Sequence, residues 1–231
     1  SWTNDFEVTE EGQIVNAVID CGLFTGSLLV TFTATDECGN DTETSATFTV
    51  EDTTNPSMDT ASSDETVECD GSGNTAALTA WLDANGGAAA SDACSNVTWS
   101  NDFTALSDDC GATGSATVTF TATDDCNNAT STTSTFTIED TTNPSMDTAS
   151  SDETVECDGA GNTAALTAWL DANGGASASD ACSNVTWSND FTALSDDCGA
   201  TGSATVTFTA TDDCNNATST TSTFTIEDTT N

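Results

Sequence analysis

Carboxylates and cysteines recur together along this chain. Asp36 and Glu37 precede Cys38, Asp124 and Asp125 precede Cys126, and Asp212 and Asp213 precede Cys214. A second set of acids gathers at short junction phrases: Glu51, Asp52, Asp59 and Asp64, then Glu139, Asp140, Asp147 and Asp152. Two chemistries are open to such residues. Thiols can pair as disulfides. Carboxylates beside carbonyls and amides can hold a hard divalent cation, Ca2+ above all, which takes roughly six to eight oxygens.

The rest of the composition limits what these groups can do. The chain has 231 residues, 39 of them Asp or Glu, and no Lys, Arg or His, so its formal charge is −39. Nucleic acid is excluded as a partner, because phosphate binding rests on Lys and Arg. An anionic membrane surface is excluded for the same reason. Self-repulsion of this size opposes a compact state, yet five Trp and ten Phe in regular patterns argue for folded cores. Bound cations are the remaining means of relief. Catalysis is not expected: without His, Lys, Arg or Tyr, general acid–base work falls to carboxylates and Cys alone. No run reaches the eighteen or so apolar residues of a membrane span. The absence of an initiating Met and a signal peptide reads as a mature fragment or a window on a longer chain.

Repetition must position these groups. Every residue from Pro56 to Asn143 recurs 88 positions later, except that Ser72 becomes Ala160 and Ala89 becomes Ser177. This defines repeats 56–143 and 144–231. A divergent partial repeat, 1–55, precedes them; its SWTNDF and TFTVEDTTN match TWSNDF and TFTIEDTTN in the second repeat. A period of this size is a small sandwich domain, not a solenoid turn. The partial repeat lacks a first half. A continuous chain supplies it, or, if residue 1 is a true terminus, a neighbouring subunit supplies strands to it.

A full repeat carries four cysteines, which allow three pairings. The partial repeat keeps only Cys21 and Cys38, the counterparts of Cys110 and Cys126. A self-sufficient pair there predicts Cys21–Cys38, Cys110–Cys126 and Cys198–Cys214, and leaves Cys69–Cys94 and Cys157–Cys182. Each bridge is worth roughly 3 kcal/mol in the chain-entropy model. The other reading, free or metal-bound thiols, has no CxxC or His to support zinc. Paired cysteines place the chain outside the cytosol.

Within a repeat the pattern is mostly β. Thr66–Cys69 and Val97–Trp99 read as short strands. Ala116–Thr123 puts Ala116, Val118, Phe120 and Ala122 on one face and four threonines on the other. Ser134–Ile138 turns Phe136 and Ile138 inward. Leu78, Trp81 and Leu82 stand at helical spacing, with Asn74 or Thr75 as cap and Gly86 and Gly87 as stop. The expected fold is therefore all-β: tandem immunoglobulin-like β-sandwich repeats, each full one with a short inserted helix and two disulfides.

The phrases ATVTFTATDDC, STFTIEDTTNP and LTAWLDANGG…DACSNVTWSNDF resemble the hyalin-repeat-like, immunoglobulin-type tandem repeats of very large bacterial cell-surface adhesins, and the likeness covers all 231 residues. The resemblance implies a long extracellular stalk or fibre and no catalytic residues. The total loss of Lys and Arg departs from that family's pattern.

Calcium is expected at the junction acids Glu51, Asp52, Asp59, Asp64, Glu139, Asp140, Asp147 and Asp152, and at Asp124, Asp125, Asp212 and Asp213. The other reading is a solvated acidic surface that keeps a fibre soluble. The outward threonines fit ordinary β-preference, glycosylation, or an ice-binding row, which one strand per repeat does not supply. N-x-[ST] sequons occur at Asn40, Asn96, Asn128, Asn184 and Asn216. Asp-Thr-small phrases resembling a bacterial O-glycosylation motif mark Thr53, Thr60, Thr141, Thr148 and Thr229. The Trp residues read as core or as sugar-stacking faces. The functional expectation is a structural segment of an extracellular fibre or cell-surface stalk, with neighbouring repeats or identical subunits as partners. A glycan- or surface-binding module is the alternative; an exposed aromatic patch in every repeat would mark it.

Overall fold

The structure, a computed structural model, describes residues 1–5, 18–19, 21 and 25–230. In the partial repeat, β1 (Trp2–Asn4), β2 (Val18–Ile19), β3 (Gly26–Thr35) and β4 (Asp41–Val50) form one sheet in which β3 pairs antiparallel with the other three. The second repeat supplies β5 (Ser57–Thr60), β6 (Glu65–Glu68), helix α1 (Thr75–Asp83), β7 (Ala89–Ser91), β8 (Val97–Asn101), β9 (Gly114–Asp124) and β10 (Ala129–Glu139). The third runs through the same series: β11 (Ser145–Thr148), β12 (Glu153–Glu156), helix α2 (Thr163–Asp171), β13 (Ser177–Ser179), β14 (Val185–Asn189), β15 (Gly202–Asp212) and β16 (Ala217–Glu227).

Each full repeat holds a four-stranded sheet, ordered β6-β10-β9-β8 or β12-β16-β15-β14, and a two-stranded one, β5-β7 or β11-β13. In the third repeat β12 runs parallel to β16 and the remaining pairs are antiparallel. The fold is all-β, a series of immunoglobulin-like sandwich repeats with one short helix in each full repeat. The chain divides into two compact units: 1–65, 79–104 and 117–135 in the first, 66–78, 105–116 and 136–231 in the second. Each unit draws on two sequence repeats.

The core of the third repeat follows from its alternation. Along β15, Val206, Phe208 and Ala210 are fully buried, as is Phe224 on β16, while Thr205, Thr207 and Thr209 point the other way. Thr205 and Thr223 lie opposite each other, with their hydroxyl oxygens 3.0 Å apart. Branched side chains suit such a pleated surface, which accounts for the threonine row. Helix α2 closes over the apolar face with Leu166 and Trp169. The Trp169 ring meets Phe208 edge-on at 5.1 Å, and its Nε1–H donates to the Ser151 carbonyl at 3.2 Å. A buried indole keeps its one donor satisfied in this way.

A tight Asn-Gly-Gly turn follows the helix. Gly174 has φ 64°, and a Cβ there would stand 2.9 Å from Phe208 Cε2 and 3.0 Å from Ser150 Cβ. Left-handed backbone and lack of space both demand glycine. Gly174→Ala is expected to cost ~2 kcal/mol or more in a denaturant titration. A change below about 0.5 kcal/mol would contradict this packing.

Candidate cation site and the disulfides that frame it

Strand length decides the cysteine pairing. Cys110 stands just before β9 and Cys126 just after it. An eleven-residue strand rises roughly 3.3 Å per residue. Its ends are therefore far beyond the ~7 Å that a disulfide can span between Cα atoms. Cys21 and Cys38 flank β3 in the same way, and Cys198 and Cys214 flank β15. Cys69 and Cys94 are separated likewise. The Cys69 N–H donates to the Glu139 carbonyl, at the end where β10 stops, whereas Val97, just beyond Cys94, pairs with Asp124 at the opposite end of β9.

Each full repeat thus carries two cysteines at either end of its larger sheet, and the bridges run from one repeat to the next. The bonds are Cys21–Cys126, Cys69–Cys182 and Cys110–Cys214, with Cα separations of 5.1, 6.1 and 5.3 Å. They replace the expected Cys21–Cys38, Cys69–Cys94, Cys110–Cys126, Cys157–Cys182 and Cys198–Cys214. Cys38, Cys94, Cys157 and Cys198 are free.

The carboxylates converge at these same repeat ends. Oxygens of Asp140 and Asp180 and the Cys182 sulfur lie within 4.8 Å of one another, and so do the matching atoms of Asp52, Asp92 and Cys94. Asp212 completes the first group through an amide. Asn216 Nδ2–H donates to the Asp140 carbonyl at 2.9 Å and to Asp212 Oδ2 at 2.9 Å. Asn128 does the same between the Asp52 carbonyl and Asp124 Oδ2, at 3.1 and 2.8 Å. Asp140 is 8% exposed and Asp212 4%. Asp140 Oδ2 and Asp52 Oδ2 are buried with no hydrogen-bond partner.

A buried carboxylate oxygen without a donor is costly to leave unmade. Burial pushes the Asp140 carboxyl above its ordinary range, helped by the nearby charges of Asp180, Asp212 and Glu68 and opposed by the Thr142 N–H. Burial also raises the Cys94 thiol, with Asp52, Asp92 and Asp124 adding to the effect. A hard oxygen-seeking cation fits both groups: carboxylate oxygens converge in each, and no competing basic side chain exists. The Cys182 sulfur is bridged to Cys69, and a hard cation prefers the carboxylate oxygens to the Cys94 sulfur.

Of the acids expected to bind metal, Asp52, Asp124, Asp140 and Asp212 come together in this way. The others are used elsewhere. Asp125 and Asp213 accept the backbone and amide N–H groups of Asn96 and Asn184. Asp59 and Asp147 accept the hydroxyls of Ser91 and Ser179. Asp64 and Asp152 accept the N–H of Thr135 and Thr223. Glu51 and Glu139 are exposed, Glu139 because alternation turns it away from the side that buries Asp140. Sequence reasoning missed Asp92 and Asp180. The available signal was SDAC, in which an aspartate two residues before a cysteine repeats the position of Asp124 in TDDC. In both loops that aspartate accepts the cysteine's own N–H at 2.8 Å.

The modification motifs sort by exposure. Asn40, Asn96 and Asn184 are exposed, whereas Asn128 and Asn216 are half-buried and spend their amide N–H groups between two aspartates. Thr53, Thr60, Thr141, Thr148 and Thr229 are exposed, although the hydroxyls of Thr141 and Thr229 donate to Glu68 and Glu156. The Thr142 hydroxyl, with the Thr141 N–H and hydroxyl, holds the Glu68 carboxyl below its ordinary range. Trp81 and Trp169 are each 7% exposed, so neither offers a ring to a ligand. Among the described residues no helix is long and apolar enough to cross a membrane.

No family model matches the chain, and no curated protein does. Solved structures to which it is weakly similar include cadherin extracellular repeats. The mouse clustered PcdhgC3 EC1-3 structure is 12% identical, with a TM-score of 0.31 over 97% of this chain and 86% of that one. Mouse Cadherin-23 EC22-24 is 13% identical, with a TM-score of 0.31 over 99% and 86%. Drosophila N-cadherin EC1-4 is 9% identical, with a TM-score of 0.31 over 99% and 66%. Likenesses this weak leave the functional reading to the residues themselves.

Proposed function

We propose that the chain is a structural segment of an extracellular fibre or cell-surface stalk. Its three repeats, 1–55, 56–143 and 144–231, serve as successive links. The observation that carries this reading is the direction of the sulfur bridges: each joins a cysteine of one repeat to a cysteine of the next. Bonds between successive sequence repeats suit a load-bearing series. Cysteines that pair in this way belong in an oxidising, extracytosolic setting.

Calcium is the second part of the proposal. Asp52, Asp92 and Asp124 would hold one ion, and Asp140, Asp180 and Asp212 another. Bound there, it would supply the positive charge this sequence lacks and stiffen the joint beside each bridge. Glycans at the exposed Asn40, Asn96 and Asn184 and at exposed threonines would add a hydrated coat. The alternative, a module that recognises glycans or surfaces directly, needs an aromatic face in every repeat, and the buried Trp81 and Trp169 do not provide it.

The test is thermal melting with calcium and then with chelator. An ion at a hundredfold excess over its Kd stabilises by about 2.7 kcal/mol per site, so a clear rise in Tm is expected. The double variant Asp52→Asn, Asp140→Asn should lose that rise. In chelator it should be at least as stable as the parent, since each substitution removes an uncompensated buried charge. An equal calcium response in parent and variant would overturn the assignment.

A further inference from the structure

We propose that the Cys69–Cys182 bridge gates the cation site of Asp140, Asp180 and Asp212: reducing this one bond weakens calcium binding there, and bound calcium protects the bond from reduction. The proposal rests on the calcium reading above and adds its regulation. Oxygens of Asp140 and Asp180 and the Cys182 sulfur lie within 4.8 Å of one another, so the bridge stands at the site itself. Cys182 is 8% exposed, and Cys69 is half-buried.

Each sulfur is fixed to the segment of one carboxylate. Cys69 travels with Asp140. Its N–H donates to the Glu139 carbonyl at 2.8 Å. The side chain of the preceding Glu68 accepts the Thr141 N–H at 2.9 Å and the Thr142 hydroxyl at 2.7 Å. Cys182 travels with Asp180, whose Oδ1 accepts the N–H groups of Cys182 and Ser183 at 2.8 and 3.2 Å. Asp140 belongs to one sequence repeat and Asp180 to the next. The bridge, with its Cα atoms 6.1 Å apart, is the covalent tie that sets the two segments beside each other.

Charge decides the sign of the coupling. With no cation, the neighbouring carboxylates of Asp140 and Asp180 repel, and Asp140 Oδ2 is buried without a donor. That repulsion works against the bond that holds the segments together. A divalent ion between them reverses the force. Opening the bond leaves two thiols, which a hard cation does not take in exchange for oxygens. The reduced site therefore keeps its carboxylates but loses the tie that holds them at coordinating distance. Binding linkage is reciprocal: the factor by which reduction weakens calcium is the factor by which calcium favours the bond. The site of Asp52, Asp92 and Asp124 contains neither sulfur and serves as the reference.

The reductant is a small thiol such as glutathione. Its thiolate attacks one sulfur of the bridge, forming a mixed disulfide and releasing the other cysteine as a thiolate that takes a proton. A second glutathione thiolate attacks the glutathione sulfur of the mixed disulfide and releases the remaining cysteine. Two glutathione thiols lose two electrons and two protons, and one protein disulfide becomes two thiols.

The test is calorimetric titration of the whole chain with calcium. Asp52→Asn silences the first site, so that the second is read alone. On that background, the double variant Cys69→Ser, Cys182→Ser should bind calcium about tenfold more weakly or worse. On an Asp140→Asn background, which leaves the first site, the same cysteine substitutions should change Kd by less than about twofold, as expected for separate sites in a chain that still folds. A second measurement needs no substitution. The parent is equilibrated across glutathione redox buffers with calcium or chelator, its thiols are trapped by alkylation, and the Cys69 and Cys182 peptides are read by mass spectrometry. Ser72 against Ala160, and Ala89 against Ser177, tell them from the peptides of Cys157 and Cys94. Calcium should move the half-reduction point toward more reducing buffer by the same factor. Unchanged affinity in the cysteine variant, or an unmoved half-reduction point in the parent, would overturn the gating and leave the calcium reading standing. Equal weakening at both sites would overturn it too, as general loss of structure. A parent that binds no calcium would overturn both readings.

Discussion

Cys110→Ser should cost the folded chain about 4–5 kcal/mol, while Cys198→Ser, at the same position one repeat later, should cost the monomer almost nothing. The difference follows from what each sulfur closes. Cys110 bonds Cys214 across 104 residues, a loop whose closure restricts the unfolded chain by ~4.7 kcal/mol in the chain-entropy model. Cys198 closes no loop within the chain. Denaturant unfolding of both variants, with the parent as reference, measures the contrast. Bridges confined within each repeat would make the two costs equal, because the local sequences are identical. Equal costs would therefore refute the cross-repeat bonding.

Phe208→Ala should cost about 3–5 kcal/mol, the range for an aromatic removed from a tight core. Phe208 is fully buried, lies under Trp169 at 5.1 Å, and supports the Gly174 turn through Cε2. Little of the resulting cavity can collapse, since both neighbours are fixed by other contacts. Phe120 occupies the same place in the second repeat, 5.1 Å from Trp81 and equally edge-on. Phe120→Ala should cost as much, and the double variant should cost the sum, because the two rings pack on different tryptophans. Full unfolding by urea, followed by tryptophan fluorescence, reads all three.

Much of this architecture was legible in the sequence. The alternation in ATVTFTATD located a strand and its buried face, and LTAWLDANGG located a helix, its buried Trp and its glycine stop. The period of 88 residues also marked the repeats. The cysteine pairing was not read correctly, although the means were at hand. A strand placed between Cys110 and Cys126 already holds them too far apart, but pairing by counting ignores distance. The carboxylate cluster was half legible. Asp124 and Asp212 stood out as doubled acids, whereas Asp92 and Asp180 are single residues in SDAC and acquire meaning only when the loop brings them to Asp52 and Asp140. Convergence of segments distant in the chain is set by tertiary structure, and no local pattern announces it.

Because sulfur spans the boundary between the second and third repeats twice, the peptide backbone there is not the sole connection. A protease that severs the chain near Asn143 would leave both fragments attached through Cys69–Cys182 and Cys110–Cys214. The pieces would separate only when a reductant opens the bridges and the contacts between them give way. A segment bonded in this way tolerates scission of its main chain, and its integrity follows the redox state of its surroundings.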